Sequence, residues 1–179
     1  MIPVLNPANV QEYLDYGLHG FAMSRYSGCW VAFKCVTDVV ESGASVIVDP
    51  DRVNIILPQD FAMPPGGLNI RWPDAILEQE SRLLDWKVYA ALAYVRANGL
   101  DRVIWGASAG HTPARFGIIT TGKSFGDTMQ ALSDLGIDEQ VARDIGLRVY
   151  KVAMSWPLEP DGASRFRSEE RRVGKECRL

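Results

Sequence analysis

The spacing of apolar positions predicts a helix near the start of the chain. Asn6 followed by proline is one candidate N-cap, and Asn9 with Glu12 as a capping box is a competing one. Gly28 predicts the end of the helix, because glycine readily adopts the left-handed conformation that follows a helix. The apolar residues recur every three or four positions, which predicts a single stripe facing the core. This stripe consists of Val10, Leu14, Leu18, Phe21 and Ala22.

Short apolar runs after this helix predict three strands. The runs lie at residues 30–36, 44–48 and 53–57, with a helical turn at 37–42 between the first two. The segment 58–73 then contains four prolines and a Gly-Gly pair without any periodicity. We therefore expect 58–73 to be a linker between two α/β units.

The second half of the chain alternates between helical and strand patterns. A long helix is expected from about residue 73 to residue 98, and Gly99 ends it. Its predicted inner face consists of Leu77, Leu84, Val88, Ala91, Leu92 and Val95. Strands are expected at 103–105, 116–120 and 147–152, and helices around 129–135 and 138–145. This alternation predicts an α/β fold with a mostly parallel sheet covered on both faces.

Composition and charge narrow the classes of partner. Hydrophobic residues make up 47% of the 179 residues and charged residues 23%, as in globular proteins, and the net charge is −3. The chain lacks a basic stripe interleaved with aromatics, so nucleic acid is not an expected partner. No apolar run approaches the roughly 20 residues of a membrane helix, so no membrane partner is expected. Cys29, Cys35 and Cys177 form no CxxC pair, which favours reduced thiols in a cytoplasmic protein.

The segment Gly117–Ser124 matches the P-loop pattern G-x-x-x-x-G-K-[ST]. A true P-loop follows a buried strand, whereas the apolar pair Ile118-Ile119 lies inside the motif. We therefore expect Ile118 and Ile119 to be buried in a strand and Lys123 to be exposed at its C-terminal end. The alternative is a nucleotide- or anion-binding module that uses this turn and the helix after it.

Two histidines and one serine are further candidates for chemistry. Ser108 lies in a G-x-S-x-G pattern close to His111. A nucleophile elbow needs a helix directly after the serine, and Pro113 disfavours a helix there. His19 lies off the apolar stripe and has no partner at helical spacing. From this sequence we therefore assign no catalytic or metal-binding residue.

Three stretches of sequence resemble a known enzyme family. Residues 1–36 (MIPVLNPANVQEYLDYGLHGFAMSRYSGCWVAFKCV) are similar to the end of the pyrimidine-binding domain of indolepyruvate ferredoxin oxidoreductases, in their long fused bacterial form. Residues 117–138 and 149–160 (GIITTGKSFGDTMQALSDLGID and VYKVAMSWPLEP) resemble the transketolase C-terminal-like domain that follows. The resemblance implies an interior fragment of a 2-oxoacid:ferredoxin oxidoreductase, divided into 1–57, the linker 58–73 and 74–166.

The resemblance also implies the chemistry of the parent enzyme. Members of the family oxidatively decarboxylate aryl 2-oxo acids to acyl-CoA with thiamine diphosphate, Mg²⁺ and iron–sulfur clusters, and pass electrons to ferredoxin. The glutamate that activates the thiamine has no matching position in this chain, so no catalytic residue is transferred and no bound cofactor is expected. The expected partners are the remaining domains of the parent enzyme, together with ferredoxin and coenzyme A. The resemblance also implies that the parent enzyme is an oligomer.

The C-terminal tail departs from the family. Residues 167–179 contain five basic and three acidic residues and little apolar surface, which predicts disorder. The run RSEERRVGKEC resembles the translation of a common sequencing adapter. We expect this tail to pack against nothing and to have no biological role.

Overall fold

The computed structural model describes residues 1–72, 74–106 and 114–168. Two small three-stranded sheets and several helices make up this α/β fold. The strands are β1 (Val4–Leu5), β2 (Ala32–Phe33), β3 (Arg102–Trp105), β4 (Phe116–Thr121), β5 (Leu147–Val152) and β6 (Met154–Trp156). The helices are α1 (Val10–Ser27), α2 (Thr37–Val40), α3 (Ile76–Arg82), α4 (Val88–Ala97), α5 (Lys123–Asp134), α6 (Glu139–Ile145) and α7 (Pro160–Ser168), with a π-helical turn (Leu83–Lys87) joining α3 to α4.

Local capping signals place the ends of α1 and α6 where the sequence predicts them. Asn9 is the N-cap of α1, and its side chain accepts a hydrogen bond from the Glu12 N–H at 3.0 Å. Gly28 follows α1 with a φ of 69°. Asp138 caps α6 in the same way, accepting from the Val141 N–H at 2.8 Å. These interactions form within a few residues, so the sequence alone is sufficient to predict them.

The predicted core face of α1 is wrong. Leu14, Leu18 and Phe21 are 44%, 50% and 72% exposed. The buried positions are Glu12, Tyr16, His19, Gly20, Met23 and Ser27. The physical reason is that α1 packs against α4, whose buried Tyr94 faces a more polar side of the helix. The most apolar stripe of α1 therefore faces away from the core.

Two of the three strands predicted in the first third do not form. Residues 44–48 and 53–57 are neither helix nor strand, and within 30–36 only Ala32 and Phe33 pair. Trp30 is 85% exposed, although the apolar run predicted burial. Short apolar runs become strands only when a neighbouring strand pairs with them. Of the three predicted strands, only the first finds such a partner in the described structure, where β2 pairs with β1.

Both sheets are mixed, which corrects the prediction of a mostly parallel sheet. The first sheet has the order β2-β1-β6, with β1 parallel to β2 and antiparallel to β6. The second has the order β3-β5-β4, with β5 parallel to β4 and antiparallel to β3. Every predicted strand and helix of residues 102–152 is present. Helical and strand periodicity predicted these elements, but it does not determine strand direction.

The segments on either side of residues 58–72 share a sheet and a core. β6 pairs with β1, and the main core cluster joins Leu5, Tyr16 and Met23 to Tyr94 and Met154. The stretch 58–72 contains neither helix nor strand. The boundaries 1–57, 58–73 and 74–166 remain a prediction. No helix in the described part of the chain is long and apolar enough to cross a membrane.

The long second helix is confirmed, but half of its predicted inner face is not. Ala91, Leu92 and Val95 are buried in the core between α1 and β6. Leu77 and Leu84, further toward the N-terminus, are 77% and 39% exposed. The helix therefore packs through α4, while α3 extends beyond the core.

Candidate functional site

The Gly117–Ser124 turn links β4 to α5, as the strand interpretation predicts. Ile118 is partly buried against the cluster formed by α5 and α6, but Ile119 is 50% exposed. The burial of Ile119 was therefore predicted wrongly. Successive side chains of a strand point to opposite faces of the sheet, and at Ile118 and Ile119 only the face of Ile118 is covered.

The turn is closed by a side chain from the other end of the chain. Asn6 donates a hydrogen bond from Nδ2 to Thr121 Oγ1 at 3.2 Å, and Thr121 Oγ1 donates to the Val152 carbonyl at 2.8 Å. Gly122 has a φ of 53°, and a Cβ on it would lie 2.6 Å from Asn6 Cγ. Asn6 occupies the space that a phosphate would need beside the glycine.

Lys123 is bound to its own helix. Its Nζ lies 2.8 Å from Asp127 Oδ1, one helical turn further on, and its side chain is 42% exposed. The exposure agrees with prediction. The hydrogen bond to Asp127 raises the pKa of Lys123. The cation is therefore already paired with a carboxylate, which disfavours its use as a phosphate ligand.

A polar cleft of about 300 Å³ is lined by acidic, basic and aromatic side chains from distant parts of the chain. One wall is the α1 face with Glu12, Asp15, Tyr16 and His19. The opposite wall contains Arg52, Asn54, Asn98 and Arg102. In the sequence, Glu12 and Asp15 cannot be told from the polar residues of a solvated helix face. Their partners are distant along the chain, so no local pattern could reveal the cleft.

A buried ion pair lies at the base of this cleft. Lys151 of β5 is 1% exposed and donates from Nζ to Glu12 Oε1. The other oxygen of Glu12 accepts the Ala8 N–H at 2.8 Å. Lys151 Nζ also lies 4.4 Å from the centroid of the Phe125 ring. Burial lowers the pKa of Lys151, while the hydrogen bond to Glu12 opposes that shift.

His19 and Asp15, which also line the cleft, are paired as well. His19 Nδ1 lies 3.0 Å from the Tyr94 hydroxyl, and burial lowers the pKa of His19, so its imidazole is neutral near pH 7. No local sequence pattern could indicate a partner for His19, because Tyr94 lies 75 residues away. The Arg52 guanidinium binds both oxygens of Asp15, and it lowers the pKa of Asp15 against the opposing effect of burial.

The cleft has no arrangement suited to covalent or metal chemistry among the described residues. Its carboxylates bind cations or backbone amides, and its histidine binds a tyrosine. No group of three or more His, Cys, Asp or Glu side chains in the described ranges could hold a metal ion. Cys29 is buried and Cys35 exposed, and both are free thiols. Ser108, His111 and Cys177 lie outside the described residues, as does most of the tail, so the predictions for them stay predictions.

Asp101, beside β3, is a buried carboxylate with an unusual pKa. Its Oδ1 accepts hydrogen bonds from the N–H groups of Ala153 and Met154 at 2.7 and 3.2 Å, while Oδ2 is buried without a partner. Burial raises its pKa from 3.8 to about 6, against the lowering effect of the two backbone bonds. The folded protein therefore favours the protonated form over the range between these values.

Replacing Asp101 with asparagine should stabilise the protein at neutral pH and have little effect near pH 4. Because folding raises the pKa of Asp101, its protonated carboxyl stabilises the folded state fully below pH 3.8. This stabilisation is lost as the pH rises through about 6. The full shift corresponds to about 3 kcal/mol at most. Urea unfolding of both proteins at pH 4 and pH 7.5 measures the difference. A difference that stays constant with pH would contradict the assigned ionisation.

A large apolar groove lies on the other side of α1. It encloses about 1250 Å³ between α1, the stretch 30–33 and the start of α3. Its floor is formed by Gly17 and Gly20, and its walls include Phe21, Trp30 and Ile76. Phe21, Trp30 and Ile76 are 72%, 85% and 84% exposed. Soluble proteins seldom leave such a contiguous apolar surface open to water.

Comparison with known proteins gives two matches. Residues 107–173 match the family model of the indolepyruvate ferredoxin oxidoreductase middle domain. This range ends inside the tail 167–179, whose lack of a biological role remains a prediction. No curated protein sequence matches the chain.

The fold is similar to that of a solved 2-oxoglutarate:ferredoxin oxidoreductase from Magnetococcus marinus, with 2-oxoglutarate, coenzyme A and succinyl-CoA bound. The TM-score is 0.51 at 12% identity, over 94% of this chain and 33% of that one. This chain therefore spans about a third of the length of the solved relative. Residues 107–173 therefore resemble the middle domain of indolepyruvate ferredoxin oxidoreductases, and the chain shares the fold of part of a 2-oxoacid:ferredoxin oxidoreductase.

Proposed function

We propose that the chain is a non-catalytic part of a thiamine diphosphate-dependent enzyme that oxidatively decarboxylates aryl 2-oxo acids of the indolepyruvate type. The enzyme would form acyl-CoA and pass electrons to ferredoxin. The observation that carries this proposal is the match of residues 107–173 to the indolepyruvate ferredoxin oxidoreductase middle domain. The likeness in fold over 94% of the chain supports the wider family.

The described residues do not fit the cofactors of such an enzyme. Iron–sulfur clusters need several cysteine thiolates, but Cys29 is buried and Cys35 exposed, and neither has a second ligand nearby within the described ranges. Glu12 is the buried glutamate of the cleft, and both its oxygens are bound, one to Lys151 and one to the Ala8 N–H. We therefore derive no reaction step through a cofactor for this chain.

The role left to this chain is to hold the surrounding domains in position. The main core cluster joins α1 and β1 to α4 and β6, and the buried Glu12–Lys151 pair ties α1 to β5. Its expected partners are the remaining domains of the longer polypeptide, with ferredoxin and coenzyme A binding to the assembled and oligomeric enzyme. The free thiols Cys29 and Cys35 favour a cytoplasmic location.

The alternative of a nucleotide-binding module has no support from the geometry of the turn. Asn6 fills the space beside Gly122, and Asp127 binds Lys123. A phosphate cradle needs open backbone amides and a lysine free to reach the phosphates. The Gly117–Ser124 turn provides neither.

The test is an assay of the complete polypeptide that contains this chain. Indolepyruvate, phenylpyruvate and 2-oxoglutarate are compared with thiamine diphosphate, Mg²⁺ and coenzyme A present and a viologen dye as electron acceptor. We expect dye reduction that requires thiamine diphosphate and a higher kcat/KM for the two aryl acids. A preference for 2-oxoglutarate would overturn the proposed substrate class, and no reduction with any acid would overturn the proposed function.

A further inference from the structure

One wall of the polar cleft is formed in part by residues 47–56, a segment without helix or strand that we call the strap. Arg52, Val53 and Asn54 of the strap line the cleft opposite α1. Val53 is half-buried, and every other residue of the strap is exposed. No backbone–backbone hydrogen bond joins the strap to another part of the described chain. Apolar burial and strand pairing therefore contribute little to holding the strap in place.

Two side-chain amides hold the ends of the strap. Oε1 of Gln11, on α1, accepts the Ile47 N–H at 2.8 Å, and Nε2 of Gln11 donates to the Ile47 carbonyl at 3.3 Å. Asn98, the C-cap of α4, binds Ile56 in the same way, at 2.8 and 2.9 Å. A side-chain amide has one acceptor and a donor side, so each of these amides takes the place that a pairing strand would occupy.

An ion pair holds the middle of the strap. Both oxygens of Asp15, on α1, accept hydrogen bonds from the Arg52 guanidinium at 3.1 Å. Nε2 of Gln11 also donates to Asp15 Oδ1 at 3.0 Å, so the bonds to Ile47 and to Arg52 belong to one network. Gln11, Asp15 and Asn98 make every hydrogen bond that joins the strap to the rest of the described structure.

From these contacts we propose that the strap is a cover of the polar cleft that opens as one unit while α1, α4 and both sheets stay folded. Water replaces exposed hydrogen bonds and ion pairs at little cost, so they stabilise the closed position only weakly. The helices that supply these bonds are fixed in the main core cluster through Tyr16 and Tyr94. A segment with few buried contacts opens more readily than such a core. Opening admits solutes to Glu12 and His19 on the facing wall.

Contacts on either side of the strap limit how far the opening spreads. Before the strap, Val39 of α2 is buried. After the strap, Asp60 pairs with Arg96 of α4 at 3.1 Å, and Leu68 is buried. The chain is therefore anchored at both ends of the moving segment, which confines the motion to the cover itself.

Gln11→Ala and the matched control Gln130→Ala allow a direct test. Alanine favours a helix, so both variants should fold. Gln130 of α5 donates to Asp134 one turn away at 2.8 Å, as Gln11 does to Asp15, but it makes no hydrogen bond to the strap. Gln11 does not line the cleft, so its truncation leaves the walls of the cleft unchanged.

Amide hydrogen exchange of the 179-residue chain, followed by NMR, measures the opening. Gln11→Ala should speed exchange at the Ile47 amide at least about threefold, because that amide loses its acceptor. The Ile56 amide, held by Asn98 at the other end, should speed up as well, because the strap opens as one unit. The Tyr94 amide in α4 should keep its rate, and Gln130→Ala should change none of the three.

Access to the cleft is measured by the reaction of His19 with diethyl pyrocarbonate, located by mass spectrometry of peptides. Gln11→Ala should speed this reaction at least about threefold, and Gln130→Ala should not change it.

The idea of a cover fails if any of three results is found. An unchanged Ile56 amide in Gln11→Ala would mean that the ends of the strap fray separately. Faster exchange at Ile47 and Ile56 with unchanged reaction of His19 would mean that the strap does not close the cleft. Equal acceleration of the Tyr94 amide would mean that the whole fold opens. None of these measurements depends on oxidoreductase activity, so they are independent of the proposed function.

Discussion

Replacing Lys151 with methionine should lower the free energy of unfolding by about 3–5 kcal/mol, the cost of removing one partner of a buried ion pair. Lys151 is 1% exposed and Glu12 is 8% exposed. Without the ammonium group, the Glu12 carboxylate would be left buried without its cation, although it still accepts the Ala8 N–H. Urea unfolding monitored by circular dichroism measures the change.

Two further variants distinguish the cost of an uncompensated buried charge from the general cost of replacing a lysine. Adding Glu12→Gln to Lys151→Met should recover much of the loss, because the uncompensated charge is gone and the glutamine oxygen can still accept the Ala8 N–H. Lys123→Met removes an exposed pair with Asp127 and should leave the midpoint within error. Equal effects of Lys151→Met and Lys123→Met would contradict the assigned burial.

Replacing Gly28 with alanine should cost about 2–5 kcal/mol. The φ of 69° is in the left-handed region, which costs roughly 1–2 kcal/mol for a residue with a Cβ. The new Cβ would also overlap the Leu68 carbonyl oxygen and lie 2.8 Å from its carbon. Relieving such overpacking costs about 1–3 kcal/mol more. Thermal and urea unfolding both measure the loss.

Gly136 is the matched control for this substitution. It follows α5 as Gly28 follows α1, and its φ is 71°. A Cβ there meets no atom within 4 Å, so Gly136→Ala carries only the backbone cost. The cost of Gly28→Ala should exceed that of Gly136→Ala by at least about 1 kcal/mol. Similar costs would mean that Leu68 does not pack against the end of α1.

Local interactions explain why the second half of the fold could be predicted from sequence. Asp138 caps α6 through the N–H of Val141, three residues away, and Gly146 follows that helix with a φ of 77°. Strand β5 is recognisable because four of its six residues are apolar and strand-forming. Each of these features depends on neighbours within one turn or strand, so a sequence pattern is sufficient.

Long-range packing explains the failures in the first third. An amphipathic stripe predicts a buried face only if the element that covers it is present, and Leu14, Leu18 and Phe21 have no such cover in the described structure. The same reasoning applies to the apolar runs 44–48 and 53–57, which lack a strand to pair with. Hydrophobic periodicity therefore predicted which face of an element is apolar, but not which other element covers that face.

The polar cleft could not be predicted because its contacts join distant parts of the chain. Glu12 and Lys151 are 139 residues apart, and His19 and Tyr94 are 75 apart. A buried lysine in a strand looks like an ordinary charged position until the carboxylate opposite it is known. The Gly117–Ser124 turn was predictable as a strand-to-helix connection, since its apolar pair lies inside the motif. Its closure by Asn6 was not predictable, because Asn6 lies 115 residues away from Thr121.

The proposed function is tested most directly by comparing the isolated 179-residue chain with the complete polypeptide in the same viologen assay. Both receive indolepyruvate, thiamine diphosphate, Mg²⁺ and coenzyme A. We expect thiamine-dependent dye reduction by the complete polypeptide and none above background by the isolated chain. Turnover by the isolated chain that scales with its concentration and requires thiamine diphosphate would contradict the claim that this part of the enzyme is non-catalytic.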